Sequence, residues 1–174
     1  ILYILSFNIS AQEIPKNPNT YDLDSNKTGA WTILYDNDWN ITDISDSVEF
    51  YRIITYENGL PKGEVTDFYL NGIKQWEGKL ILDNSYEIND DTCTWYNINS
   101  LVQTIEIYKN GNLHGISTYN DSIGTTFLSI NYTDGDFKEL VFCKLNKKLF
   151  SNILEIINYS DYKNSISICK AILD

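Results

Sequence analysis

Short runs of alternating apolar and polar residues, punctuated by Asn-Gly and Asp-Gly pairs, recur along this chain and restrict what it can fold into. Tyr56-Glu57-Asn58-Gly59 leads into Leu60-Pro61-Lys62-Gly63. The strand-like Glu64-Val65-Thr66-Asp67-Phe68-Tyr69 follows, then a second turn, Leu70-Asn71-Gly72. Tyr108-Lys109-Asn110-Gly111 and Asn112-Leu113-His114-Gly115 keep the same offsets, and Gly29 to Tyr35 has the spacing of Gly63 to Tyr69. Asp134-Gly135 supplies one more turn, after the strand-like Thr126 to Tyr132. Asn-Gly and Asp-Gly tolerate positive φ at both central positions of a two-residue turn, which suits the right-handed twist of a hairpin. Between turns the period is two: Val65, Asp67 and Tyr69 against Thr66 and Phe68, and Ile105 and Ile107 against Glu106 and Tyr108. That period predicts half-buried strands. Strands this short cannot bury a face alone, so the hairpins must stack into one sheet. Gly59, Gly72 and Gly111 are each expected at positive φ, after an Asn in a two-residue turn. Gly29, Gly63 and Gly115 are expected where the backbone bulges or passes close to a neighbour.

The spacing Tyr-x-Asn-Gly-x-x-x-Gly, with an apolar-Tyr pair closing the strand and Asn71-Gly72-Ile73-Lys74-Gln75-Trp76-Glu77-Gly78 after it, resembles the bacterial variant of the MORN repeat, including the set labelled an antitoxin family. The resemblance covers roughly Tyr21 to Asp136, and Tyr56 to Leu80 matches best. Ser85 to Asp91 breaks the frame with an acidic insertion, and Ile116-Ser117 lacks the usual aromatic after the glycine. The resemblance implies an elongated antiparallel sheet of stacked β-hairpin repeats that binds partners, with no reaction chemistry attached.

Both ends differ in character. Ile1 to Ile9 is almost wholly apolar, yet nine residues fall short of the ~20 a membrane-spanning helix needs. With Ile9 and Ala11 ahead of Gln12, the segment reads as the end of a secretory signal. The absence of Met at position 1 fits a truncated leader; a buried first strand is the alternative. From Leu140 onward the period becomes helical, with Leu149, Phe150, Ile153, Leu154, Ile156 and Ile157 on one face. Tyr159-Ser160 interrupts it, Asp161 can cap a second helix, and Tyr162, Ile166, Cys169, Ile172 and Leu173 continue. This pair resembles the start of a tetratricopeptide array; a two-helix cap on the sheet is the other reading. The expected fold is therefore mainly β, with a residual signal at 1–11, a MORN-like hairpin domain at 12–138 and a helical segment at 139–174.

Charge narrows the partners. Thirteen Lys and Arg stand against 24 Asp and Glu, a net charge of −11. Such a surface repels phosphate backbones and anionic lipids, which argues against nucleic acid and leaves basic proteins, cell-wall components or cations; a protein partner is the one expected. Cys93, Cys143 and Cys169 form no paired metal or redox spacing. His114, the one histidine, could act as a base for Cys93, but it occupies the turn slot that Lys62 and Thr28 fill elsewhere. Asp83, Glu87, Asp90-Asp91 and Asp36-Asn37-Asp38 complete no calcium loop. No catalytic residue, metal ligand or cofactor is assigned. The dense aromatics, four Trp and 13 Tyr among them, supply the binding-surface candidates Trp31, Trp39, Tyr69, Trp76 and Trp95. Core filling is the competing expectation for Trp31 and Trp76. The function expected is a non-enzymatic, exported, extracytoplasmic bacterial protein that presents an interaction surface. A soluble antitoxin or immunity protein facing a basic toxin, and a carbohydrate-binding module, are the alternatives.

Overall fold

The computed structural model of the chain describes residues 13–44, 47–84 and 86–144. Among these residues twelve strands follow one another: β1 (Thr20–Tyr21), β2 (Lys27–Tyr35), β3 (Phe50–Glu57), β4 (Leu60–Pro61), β5 (Glu64–Tyr69), β6 (Lys74–Asp83), β7 (Glu87–Tyr96), β8 (Val102–Lys109), β9 (Asn112–Leu113), β10 (Gly115–Asn120), β11 (Thr126–Thr133) and β12 (Asp136–Cys143). They form one open antiparallel sheet in the order β1-β2-β3-β5-β6-β7-β8-β10-β11-β12, with β4 on β3 and β9 on β8. Sequence neighbours are almost always sheet neighbours, as tight turns dictate.

Connections at the two ends of the strands differ, and the residues explain why. At one end Asn58-Gly59, Asn110-Gly111 and Asp134-Gly135 all hold two consecutive positive φ values, from 51° to 91°. These are the mirror-image turns that a twisted hairpin favours. Each turn glycine also donates its N–H to the preceding hairpin: Gly59 to Lys27 O, Gly111 to Asn89 O and Gly135 to Leu113 O, at 2.8–3.0 Å. Two residues beyond each accepting carbonyl the chain again enters positive φ, at Gly29, Asp91 and Gly115. Gly29 and Gly115 thus mark places where a strand bends beneath its neighbour's turn, whereas Gly63 holds φ 81° with nothing within 4 Å of where a Cβ would stand. Gly59→Val puts a branched side chain at φ 77° against Asn26, so a loss of roughly 1 kcal/mol or more is expected. Lys62→Ala removes only an exposed ion pair with Glu57 and should change stability by under ~1 kcal/mol. Urea melts of the two variants give the comparison; equal midpoints would contradict it.

At the opposite end the loops 36–40, 69–73, 97–101 and 121–125 place one residue at positive φ in their fourth position: Trp39, Gly72, Ser100 and Gly124. Gly72 therefore does not sit in a two-residue turn, as the Asn71-Gly72 pair suggested. Its N–H reaches Tyr69 O at 2.8 Å, closing a three-residue loop. Asp36 Oδ1 accepts the N–H groups of Asp38 and Asn40, both at 2.9 Å, and Asn97 Oδ1 accepts those of Asn99 and Leu101. The backbone bond from Asn40 holds the Asp36 carboxyl below the usual range, and Asn26 does the same for Asp22 in loop 22–26. A depressed carboxylate stabilises the fold above its unfolded value, near pH 3.9, and that contribution disappears as pH falls through the folded value. The Asn40 amide resonance should therefore shift on acidification below about pH 4, and those of Asn99 and Leu101, served by a neutral amide, should not. NMR titration checks this, and Asp36→Asn should abolish the shift.

The free side of β2 is closed by side chains. The Asn19 amide pairs with both Thr32 O and Thr32 N at 2.8 Å, taking the place of a neighbouring strand. At the far side, Leu140 to Cys143 belong to β12, so the chain stays in the sheet where the periodicity had suggested a helix. Local apolar spacing could not distinguish the two, and pairing of Leu140 with Ile130 on β11 favours strand. The remainder of the expected helical pair, from 145 on, and the expected signal at 1–11 lie outside the described residues.

Candidate binding cleft

One face of the sheet carries most of the core. Trp31, Ile33 and Tyr35 of β2, Ile54 and Tyr56 of β3, Val65 of β5, Trp76 and Leu80 of β6 and Cys93 of β7 form one buried cluster. Across its middle runs a row of paired residues, Ile33, Arg52, Asp67, Trp76 and Trp95, from five consecutive strands of the sheet. Arg52 also reaches Glu87 on β7, three strands away, a separation of about 14 Å on a flat sheet. The sheet must therefore coil strongly here, turning its aromatic face in on itself.

Arg52, the chain's single arginine, is 3% exposed. Its fork grips Asp67 through Nε–Oδ1 at 2.7 Å and Nη2–Oδ2 at 2.8 Å. Nη1 donates to Glu87 and, at 3.3 Å, to Asp83, and Nη2 donates to Glu87 at 3.3 Å. Five bonds match the five N–H groups of a guanidinium, so none is left over. Burial opposes the positive charge, but the bonds and charge of Asp67, with Glu87 behind them, raise the Arg52 pKa. Burial also lifts the Asp67 carboxyl above the ordinary range, against the pull of Arg52. The guanidinium lies over the rings of Tyr35 and Trp76, 5.5 and 5.7 Å from their centroids. Tyr56 donates its hydroxyl to Asp83, and Lys27 Nζ stands 3.7 Å from the same carboxylate. Three carboxylates against Arg52 and Lys27 leave one net negative charge.

Above this network opens a cleft of about 370 Å³, walled by Tyr35, Trp39, Trp76 and Trp95, floored by Arg52 and Asp67 and edged by Gln75, Glu87 and Asn89. Gln75 reaches it through a bulge: Asp67 pairs with Trp76 and Phe68 with Lys74, so Gln75 is an extra residue turned to the same side as Trp76. Its Oε1 is buried and accepts no hydrogen bond. Trp39 stacks flat on Phe50, with centroids 4.6 Å apart and planes 9° apart, and remains 38% exposed. At φ 61° it holds the loop position that Gly72 and Gly124 take elsewhere. A bulky residue there is strained by roughly 1 kcal/mol.

Among the aromatics singled out from the sequence, Trp39, Trp76 and Trp95 meet at this cleft. Trp31 fills the core, the competing expectation for it, and does not line this cleft: it is 7% exposed inside the cluster, with Tyr21 and Tyr56 packed edge-on against it. Trp76 is core as well as wall, at 4% exposed. Tyr69 packs on Phe50 and donates its hydroxyl to Tyr96 O, away from the cleft lining. Cys93 is fully buried and its thiol is pushed up to about 12 by burial, so it is not a thiolate near neutrality. His114 faces Asp134 at an exposed turn, with Nδ1 3.1 Å from Oδ1. Among the described residues no group of three or more His, Cys, Asp or Glu side chains is placed to hold a metal ion, and no helix is long and apolar enough to cross a membrane. Sequence reasoning did not single out Arg52, Asp67, Gln75 or Asn89, and it placed Glu87 only in an acidic run. The available signal was a lone arginine in the apolar strand Phe50–Ile54 and an aspartate in phase with Val65.

No family model matches the chain, and no curated protein or solved structure is significantly similar to it.

Proposed function

We propose that the chain is a non-enzymatic binding protein of MORN-repeat type, exported from a bacterial cell, whose aromatic sheet face docks a protein partner at the Trp39–Trp95 cleft. The observation that carries this reading is Trp39. A tryptophan occupies a left-handed loop position better suited to glycine, and it keeps more than a third of its surface exposed at the mouth of a cleft. Strain tolerated at an exposed aromatic is characteristic of a functional contact, since neither feature maximises stability. The partner is basic, because an acidic chain steers and retains positive surfaces. An antitoxin role is a special case of the same surface.

The test compares the full chain with Trp39→Gly, which keeps the loop because glycine already serves at the matching positions 72 and 124. A partner isolated from the source cell should be retained by the wild-type chain and lost by Trp39→Gly. It should protect the amides of loop 36–40 and of β7 from hydrogen exchange. Equal retention by both proteins, or protection confined to the opposite face, would move the interface elsewhere.

A further inference from the structure

We infer that the cleft takes an organic cation, and specifically the guanidinium of an arginine on the partner. The inference rests on the protein-binding reading above and adds what chemistry the cleft selects.

Three features lead there. Every N–H of Arg52 is already used, so the buried cation neutralises its neighbours but offers a ligand no donor. What remains at the cleft includes two acceptors, the half-exposed Glu87 carboxylate and the unpartnered Oε1 of Gln75. A buried acceptor without a partner is costly in an empty cleft and is satisfied by a donor that enters. Of the four wall rings Tyr35 and Trp76 already carry the Arg52 guanidinium, which leaves Trp39 and Trp95 to meet a ligand, and tryptophan faces attract a cation best of all. A planar guanidinium combines both requirements, because it stacks on a ring while its edge donates several hydrogen bonds. The volume, near the lower end of the ~300–1,000 Å³ usual for ligand sites, suits one long side chain. A neutral sugar gains nothing from the net negative charge.

Four Gly/Ser-rich peptides, differing at one central position, provide the test: arginine, lysine, citrulline and serine. Citrulline has nearly the shape of arginine without its charge. Binding to the full chain is followed by tryptophan fluorescence and by amide shifts, at low salt, alongside a neutral cello-oligosaccharide. The arginine peptide should bind saturably, with shifts centred on residues 36–40, 75 and 87–89. Lysine should bind more weakly, and citrulline at least tenfold more weakly than arginine. Glu87→Gln, a half-exposed position, should weaken arginine binding several-fold, and Trp39→Gly should abolish it, with both variants melting cooperatively. Citrulline binding as well as arginine, the oligosaccharide binding in preference, or no saturable arginine binding would each overturn the inference. If the arginine peptide fails while the protein partner still distinguishes wild type from Trp39→Gly, the docking reading stands and only its chemistry is wrong. Arginine binding with no such partner would leave the cleft chemistry standing and overturn the docking reading.

Discussion

Arg52→Leu should lower stability by about 3–5 kcal/mol, the cost of breaking a buried ion pair by removing one partner. For a domain of this size that is a fall in melting temperature of roughly 10–20 °C. The cause lies in what stays behind. Asp67 is 2% exposed and loses both of its charge-assisted bonds, while Asp83 and Glu87 lose the cation that kept them from repelling each other and Asp67. Leucine fills part of the volume between Tyr35 and Trp76 but compensates none of that charge. Arg52→Lys keeps the charge, yet three donors on one nitrogen cannot reproduce a planar fork bound at five points, so it should fall between. Converting the pair together, Arg52→Leu with Asp67→Leu, should recover a large part of the loss, because the most deeply buried orphan is gone. Chemical denaturation of the four proteins measures the series. If Arg52→Leu costs under about 1 kcal/mol, the network is held more loosely in solution than its geometry implies.

The second large effect concerns a residue with no side chain. Gly78 lies on β6 between Trp76 and Leu80, opposite Val65, on the core face. A Cβ at this position would come 2.7 Å from Cys93 Sγ and 2.7 Å from Cζ2 of the Trp76 ring. Unlike the turn glycines, Gly78 does not have a positive φ, so alanine fits the backbone and the conflict is one of packing alone. In an open strand Gly→Ala gains roughly 0.5–1 kcal/mol. Here the sign should reverse, to a loss of about 1–3 kcal/mol, as the ring and the sulfur are forced off their positions. Cys93→Ala on the Gly78→Ala background removes one of the two clashes and should restore part of the stability. Urea midpoints give the comparison, and tryptophan fluorescence reports whether the Trp76 ring has moved. Because Trp76 also walls the cleft, the single variant should weaken ligand binding in proportion to that shift. A stabilised Gly78→Ala would show that the β6–β7 core has room to spare around this position.

Much of the sheet is readable from residue order. Asn58-Gly59, Asn110-Gly111 and Asp134-Gly135 announce their turns because few other pairs accept two left-handed residues in succession. Gly29 and Gly115 at fixed offsets mark the bends that follow. Loop 69–73 departs from the expected two-residue turn because Asn-Gly also suits a longer loop, in which only the glycine is left-handed. The choice depends on how Tyr69 and Ile73 pair. Trp39 and Asp91 show the limit most clearly. Each holds positive φ without being glycine, which only neighbouring strands and loops can enforce.

Local chemistry thus determined the hairpins, since turn conformation and period-two burial depend on adjacent residues alone. It determined the acidic surface and the supply of aromatics in the same way. The site came from elsewhere. Arg52 and Glu87 are 35 positions apart, and Tyr35 and Trp95 are further still. They meet because the sheet coils and because a bulge turns Gln75 onto the aromatic face. Coil and bulge are sums over many strand pairings, each too weak to be read from its own residues, so tertiary structure alone decided which tryptophans fill the core and which line the cleft.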